Sequence, residues 1–249
     1  MSQPAIVTSQ ADLHANVRAV QERIAAAARR VDRDPGEIRL VPVSKTVHDA
    51  RIGWLAGTGL DLVGENKVQE ALGKADALAR AGLRWAMIGH LQTNKARLVV
   101  GSVAELHSLD DLRLAEALDR RLQAVGEGLD VFVQVNSSGE ASKSGLFPDE
   151  VPAFVAGLAP FSSLRVRGLM TLAVFSEDRV AVAACFERMR AVQERLRQDV
   201  DAGGFAELSM GMSGDFELAI EHGATTVRVG EGIFGPRGRG PGAPDRPAR

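Results

Sequence analysis

A single cysteine, Cys185, stands in a chain of 249 residues, so no internal disulfide can form and a reducing compartment is expected. Aromatic residues make up only 4%, which leaves few platforms on which single-stranded bases could stack. There is no basic excess either: 30 Lys and Arg face 32 Asp and Glu, a net charge of −2. That balance argues against nucleic acid and against an anionic membrane surface as partners. No apolar run approaches the roughly 20 residues of a membrane span. The N-terminus "MSQPAIVTSQADL" lacks the basic cluster and apolar stretch of a signal peptide, so a cytoplasmic protein is expected. The five histidines show no H-x-H or H-E-x-x-H spacing, and no metal site is expected.

What is present suits a folded domain. A hydrophobic share of 45% fills a sizeable core, and 25% charged residues is ordinary for a globular protein. Residues 8 to 31 read as a helix, with Leu13, Val17, Val20 and Ile24 on one face. Short apolar strands then alternate with amphipathic helices. The strand segments are "RLVPVS" (39–44), "LDLVGE" (60–65), "LRWAMIG" (83–89), "AELHSL" (104–109), "DVFVQVN" (130–136), "RVRGLMTL" (165–172), "AELSMGM" (206–212) and "TTVRVG" (225–230). Helical patterns fall near 48–57, 66–81, 93–100, 110–125, 148–159, 178–201 and 214–222. Cys185 lies on one of these, in step with Val182, Phe186, Met189, Val192 and Leu196, and reads as a buried structural thiol.

Eight strands in βα alternation predict an α/β fold: a single (β/α)8 barrel of the TIM type with an extra N-terminal helix. An open doubly wound sheet is the alternative, but no glycine-rich dinucleotide fingerprint follows the first strand. The barrel domain is expected to cover residues 1–236, and the Gly-, Pro- and Arg-rich stretch at 237–249 to be a disordered tail.

In such a barrel the working face lies at the C-terminal ends of the strands. Ser44 and Lys45 fall there after strand one, Glu65 and Asn66 after two, and His90 after three. His107 and Ser108, Asn136, and Met170 and Thr171 follow from strands four to six. Strands seven and eight deliver Ser209 to Asp215 and Arg228 to Gly232. Each of these last two strands runs into a loop of small residues that opens a helix. Ser213, Gly214, Gly230, Glu231 and Gly232 could let backbone N–H groups close on a phosphate there; alternatively the glycines merely make tight turns. An anion seat across the mouth from Lys45 suggests a phosphorylated aldehyde held as a Schiff base, because lysine readily loses its proton when desolvated. Pyridoxal phosphate fits that description. Arg228 is then a candidate to face its ring nitrogen, or else a phosphate clamp or a buried ion-pair partner.

The stretches "LVPVSKTV", "VGENKVQEA", "WAMIGHLQTNKAR", "VQVNSSGEASKSGL", "RGLMTLA" and "LSMGMSGDFELAIEHGATTVRVGEGIFG" resemble the pyridoxal phosphate homeostasis proteins, in order and over about 35 to 236. The resemblance implies a barrel related to the N-terminal domain of alanine racemases. It implies Lys45 as the carrier of the cofactor, Arg228 opposite the pyridine nitrogen and Ser213 in the phosphate loop. The expected set of cofactor contacts is Lys45, Asn66, His90, Met170, Ser209, Ser213, Gly214, Arg228, Gly230 and Glu231. It implies storage, buffering or delivery of pyridoxal 5'-phosphate without robust turnover, with apo forms of enzymes that use the cofactor as partners. Lys67, where relatives carry an aromatic residue, is a departure at the roof of the pocket.

Racemisation, the other reading, needs acid–base groups on both faces of the substrate's α-carbon. In the racemases one is a tyrosine, and this chain has none. The chain also stops soon after strand eight, so a second, substrate-enclosing domain is not expected, and a monomer is. His90 and His107 could stand in for the tyrosine but read better as hydrogen-bonded strand-end histidines. Lys143, in "ASKSGL", reads as a solvated loop lysine or as a second amine that accepts the aldehyde during delivery.

Overall fold

A computed structural model describes residues 7–45, 47, 49–199 and 205–236. Its frame is eight strands: β1 (Arg39–Pro42), β2 (Leu62–Glu65), β3 (Arg84–Met87), β4 (Glu105–Leu109), β5 (Leu129–Gln134), β6 (Leu164–Met170), β7 (Glu207–Ser209) and β8 (Thr226–Val229). All neighbouring pairs are parallel, in the order β1-β8-β7-β6-β5-β4-β3-β2. A parallel bridge from Val43 to Gly64 completes the ring, with the Ser44 N–H on the Gly64 carbonyl at 3.1 Å. The closed (β/α)8 barrel is therefore as the alternation predicts.

The helices are α1 (Gln10–Arg29), α2 (Asp49–Gly53), α3 (Val68–Gly73), α4 (Ala75–Arg80), α5 (Leu112–Val125), α6 (Val151–Gly157), α7 (Arg179–Asp199), α8 (Phe216–Glu221) and α9 (Glu231–Phe234). Two expectations need correction. The helix expected over 66–81 is broken at Lys74, whose φ of −102° and ψ of 2° leave the helical region. Gly73 is a poor helix former, and the Lys74 side chain is drawn inward by a buried partner described below. The helix expected over 93–100 is a 3-10 segment, Thr93–Leu98, in which only Ala96 is buried, too little apolar surface to hold a longer element. The tail expected at 237–249 lies outside the described residues.

Alternation along the strands divides the core in two. Outward residues such as Val63, Met87, Leu106, Val133 and Val227 join the helices in one large apolar layer, which also holds Cys185. Inside the barrel, Val41, Val43, Leu62, Ala86 and Ile88 of β1 to β3 make a small apolar cluster. The opposite half of the interior is polar: Glu105, His107, Ser209, Thr226 and Arg228 are all buried there.

The extra helix α1 starts with a capping box, in which Ser9 accepts from the Asp12 N–H and the Asp12 side chain accepts from the Ser9 N–H. It lies against the last two helices of the barrel. Arg23 pairs with Glu217 at 2.8 Å and sits 4.6 Å over the Phe216 ring, while Asn16 donates to the Ile233 carbonyl at 3.1 Å. α1 thus braces the short helices that follow β7 and β8.

Gly211, just past β7, has φ +94°, and a Cβ there would stand 2.7 Å from the Ala219 Cβ and 2.9 Å from the Phe216 Cα. Gly211→Ala is expected to destabilise the fold by about 2 kcal/mol or more, read as a lower denaturant midpoint at unchanged slope.

Candidate functional site

At the end of β1 the inner positions run Val41, Val43 and then, by the same alternation, Lys45, which is half-buried at the mouth. Behind the strand, on its outer side, Ser44 and Glu65 meet. The Ser44 hydroxyl donates to Glu65 Oε1, and Lys74 Nζ donates to the same oxygen and to the Ser44 carbonyl, both at 2.7 Å. Lys74 and Glu65 are buried, and among the described residues Glu65 Oε2 has no hydrogen-bond partner. This buried pair grips the peptide just before Lys45 and is the partner that breaks the helix at Lys74.

The floor of the mouth is Arg228 on β8, which is 2% exposed. Nη1 donates to Ser209 Oγ and Nη2 to the Thr171 carbonyl, each at 2.7 Å. These acceptors are neutral, and among the described residues no carboxylate pairs with the guanidinium. Burial pulls the Arg228 pKa down to about 10, with Asp215 opposing, so the group stays charged near neutral pH. A buried guanidinium with donors to spare fits a ligand that brings an acceptor atom.

Behind Arg228 the polar string continues. Ser209 Oγ lies 3.0 Å from His107 Nδ1, and His107 Nε2 lies 2.8 Å from Glu105 Oε2. Arg39 closes the string on Glu105 with bonds of 2.5 and 2.9 Å. Burial depresses the His107 pKa to about 4; Glu105 works against that and the charges of Arg228 and Arg39 add to it. Burial pushes the Glu105 carboxyl up, but hydrogen bonds and charge from His107 and Arg39 outweigh it and hold the pKa at about 2.

The rim is formed by the loops after β7 and β8. Met212 N–H donates to Asp215 Oδ1 at 2.6 Å and so closes a tight turn in which Ser213 is half-buried and Gly214 exposed. Burial pushes the Asp215 carboxyl up against that bond and the Arg228 charge. Gly230 approaches β1 closely, since a Cβ on it would lie 3.3 Å from the Val43 carbonyl oxygen, and Glu231 opens α9 in solvent.

The other sequence candidates divide. Asn66 is half-buried at the end of β2, beneath Gly89, where any side chain would strike the Asn66 backbone. Met170 is fully buried at the end of β6. Ser209 is fully buried too, and it lies behind the guanidinium. His90 is exposed, and its charge opposes the burial that pushes the Asp110 carboxyl up. Lys67 is exposed at the start of α3 and pairs with Glu70 at 3.3 Å. Lys143 is held, since it donates to the Ala173 carbonyl at 3.1 Å and pairs with Glu140. Sequence reasoning missed Arg39, Glu105, Lys74 and Asp110. The spacing of Glu105 and His107, two apart on a strand and so on one face, was the available signal.

Comparison with known proteins bears on the family and the fold. The family model described as alanine racemase, N-terminal domain, matches residues 14–238. A Pseudomonas aeruginosa protein named pyridoxal phosphate homeostasis protein is 41% identical over 225 residues, covering 90% of this chain and 96% of its own. The chain belongs to the pyridoxal phosphate homeostasis protein family, within the alanine racemase N-terminal domain group. Among solved structures, that of PipY from Synechococcus elongatus with PLP bound superposes with a TM-score of 0.75 at 34% identity, covering 87% of this chain and 100% of that one. An alanine racemase of Clostridium difficile, 14% identical with a TM-score of 0.70, shares the fold over 91% of this chain and 57% of its own. Among the described residues no helix is long and apolar enough to cross a membrane, and no cluster of three or more His, Cys, Asp or Glu is placed to hold a metal.

Two outcomes follow from the buried charges. The unfolded chain protonates His107 near its ordinary value of 6.5, whereas the folded chain resists down to about 4. Stability is therefore expected to fall as pH drops from 6.5 to 4, by about 3 kcal/mol, with Glu105 extending the loss toward pH 2. Denaturant midpoints at several pH values should show the decline, and in His107→Asn the portion between pH 6.5 and 4 should flatten. Lys74→Met should destabilise by about 3 kcal/mol or more, since it leaves the buried Glu65 charge without its cation, and the double variant with Glu65→Leu should recover much of the loss.

Proposed function

We propose that the chain binds pyridoxal 5'-phosphate at the C-terminal mouth of the barrel, as a Schiff base on Lys45, and serves to store, buffer and deliver the cofactor in the cell. The observation that carries this reading is the buried Arg228 guanidinium, with two neutral acceptors and donors to spare, on the floor of a mouth that Lys45 enters. When bound, the cofactor supplies a reactive aldehyde, a phosphate and an aromatic ring that can accept electrons.

The residues would divide the work as follows. Lys45 takes the aldehyde, its place fixed by the rigid end of β1 and by the Lys74–Glu65 pair behind it. Backbone N–H groups of the loops at Ser213, Gly214, Gly230 and Glu231 close on the phosphate. Asn66, His90 and Met170 surround the ring. Arg228 donates to the ring nitrogen and, being a poor acid, leaves that nitrogen unprotonated, which makes the ring a weak electron sink. Ser209 supports Arg228 from behind.

Binding is favoured over turnover by chemistry and by kinship. No tyrosine is available as the second acid–base group, and the curated relatives are named for homeostasis. The proposed working unit is the single barrel domain at 1–236, acting as a monomer in the cytoplasm, with apo forms of PLP-dependent enzymes as recipients and neither nucleic acid nor membrane as partner.

Purified protein loaded with the cofactor should absorb in the visible range. Borohydride reduction and peptide mass mapping should then place the pyridoxyl group on Lys45, and Lys45→Ala should lose both signals. A label on another residue, or none, overturns the reading. Accumulation of D-alanine from L-alanine at high protein concentration would instead favour a racemase.

A further inference from the structure

The polar string inside the barrel admits only one direction of hydrogen bonding. Arginine can only donate, so Ser209 Oγ accepts from Arg228 Nη1 and has its own proton left to give. The atom that takes it is His107 Nδ1, at 3.0 Å, which is therefore unprotonated. The ring proton sits on Nε2 and goes to Glu105 Oε2 at 2.8 Å, and Arg39 closes the carboxylate from the far end of the barrel. His107 and Ser209 are wholly buried, so turning either group around would strand a donor or an acceptor with no water to replace its partner. The Phe132 ring, with its centroid 4.2 Å from that of the imidazole, packs the histidine from β5.

We propose that His107 is a positioning residue for Arg228: acting through Ser209, it fixes where the guanidinium sits and which of its N–H groups turn to the mouth. Three strands take part, with His107 on β4, Ser209 on β7 and Arg228 on β8. The Thr171 carbonyl after β6 holds Nη2, so the guanidinium is pinned at both ends, and only the Nη1 end depends on the histidine. Without that end the group can rotate about its remaining bond, and its free donors no longer converge on one point. What the mouth selects is therefore set three residues deep, by a neutral imidazole that touches no ligand.

In one respect this rests on the proposed function, namely that the acceptor brought to Arg228 is the ring nitrogen of pyridoxal phosphate. The test separates the two. In the protein without cofactor, nitrogen-15 NMR should show His107 as the Nε2-protonated tautomer and a slowly exchanging Arg228 guanidinium. Ser209→Ala should speed that exchange about tenfold and lower the melting temperature, since it leaves Arg228 Nη1 and His107 Nδ1 each without that partner. In loaded protein the same variant should keep the label on Lys45 while weakening pyridoxal phosphate binding about tenfold and shifting the visible band. His107→Phe should act alike, and His107→Asn, which restores an acceptor opposite Ser209, should return both readouts toward the parent. Unchanged Arg228 exchange in Ser209→Ala, or an Nδ1-protonated His107, overturns the inference whether or not cofactor binds. So does a loaded Ser209→Ala protein with its label on Lys45 and an unaltered band and affinity. Failure to label Lys45 in the parent chain overturns the functional reading alone, and the exchange data then decide the relay.

Discussion

A positive charge buried inside the barrel, on Arg228, is the constraint around which the interior is arranged. A guanidinium out of water must have acceptors, and the nearest are neutral: a serine hydroxyl and a backbone carbonyl. Of the carboxylates, Asp215 acts on that charge from the loop after β7, and Glu105 is two bonds further along the string and is itself shared with Arg39. This explains why half of the barrel interior is polar while β1 to β3 line the other half with aliphatic side chains. The apolar half gives Lys45 a rigid base in Val41 and Val43, and the polar half gives the floor its charge. A site that asked for an amine at the end of one strand and a fixed donor on the strand beside it would need this division.

The two walls are braced differently. α1, outside the repeating pattern, ties into α8 and α9 through Arg23, Asn16 and the Phe216 contact, and so steadies the elements that follow β7 and β8. The lysine side is steadied from within the helix layer by the Lys74–Glu65 pair.

Much of this was legible in the sequence. Periodicity located all eight strands to within a few residues, because a strand buried on both faces leaves a short aliphatic run bounded by turns. Lys45, Arg228 and the glycine-bearing loops were visible as strand ends. His107 reads from sequence as a hydrogen-bonded histidine, and it is one; what the sequence does not reveal is that its partners come from other strands, Ser209 from β7 and, beyond it, Arg228 from β8. Pairings across a barrel depend on register and tilt, which no local pattern encodes. Lys74 was hidden for a related reason. It lies within a helical pattern, and only its contact with Glu65 shows that the helix must stop there.

The break at Lys74 has a mechanical meaning. The ammonium holds the Ser44 carbonyl, so the peptide leading into Lys45 is anchored to the α3–α4 corner as well as to its own strand. Any displacement of that turn must either carry the corner with it or open a buried ion pair. The lysine arm can swing at its tip, but its root behaves as part of the helix layer.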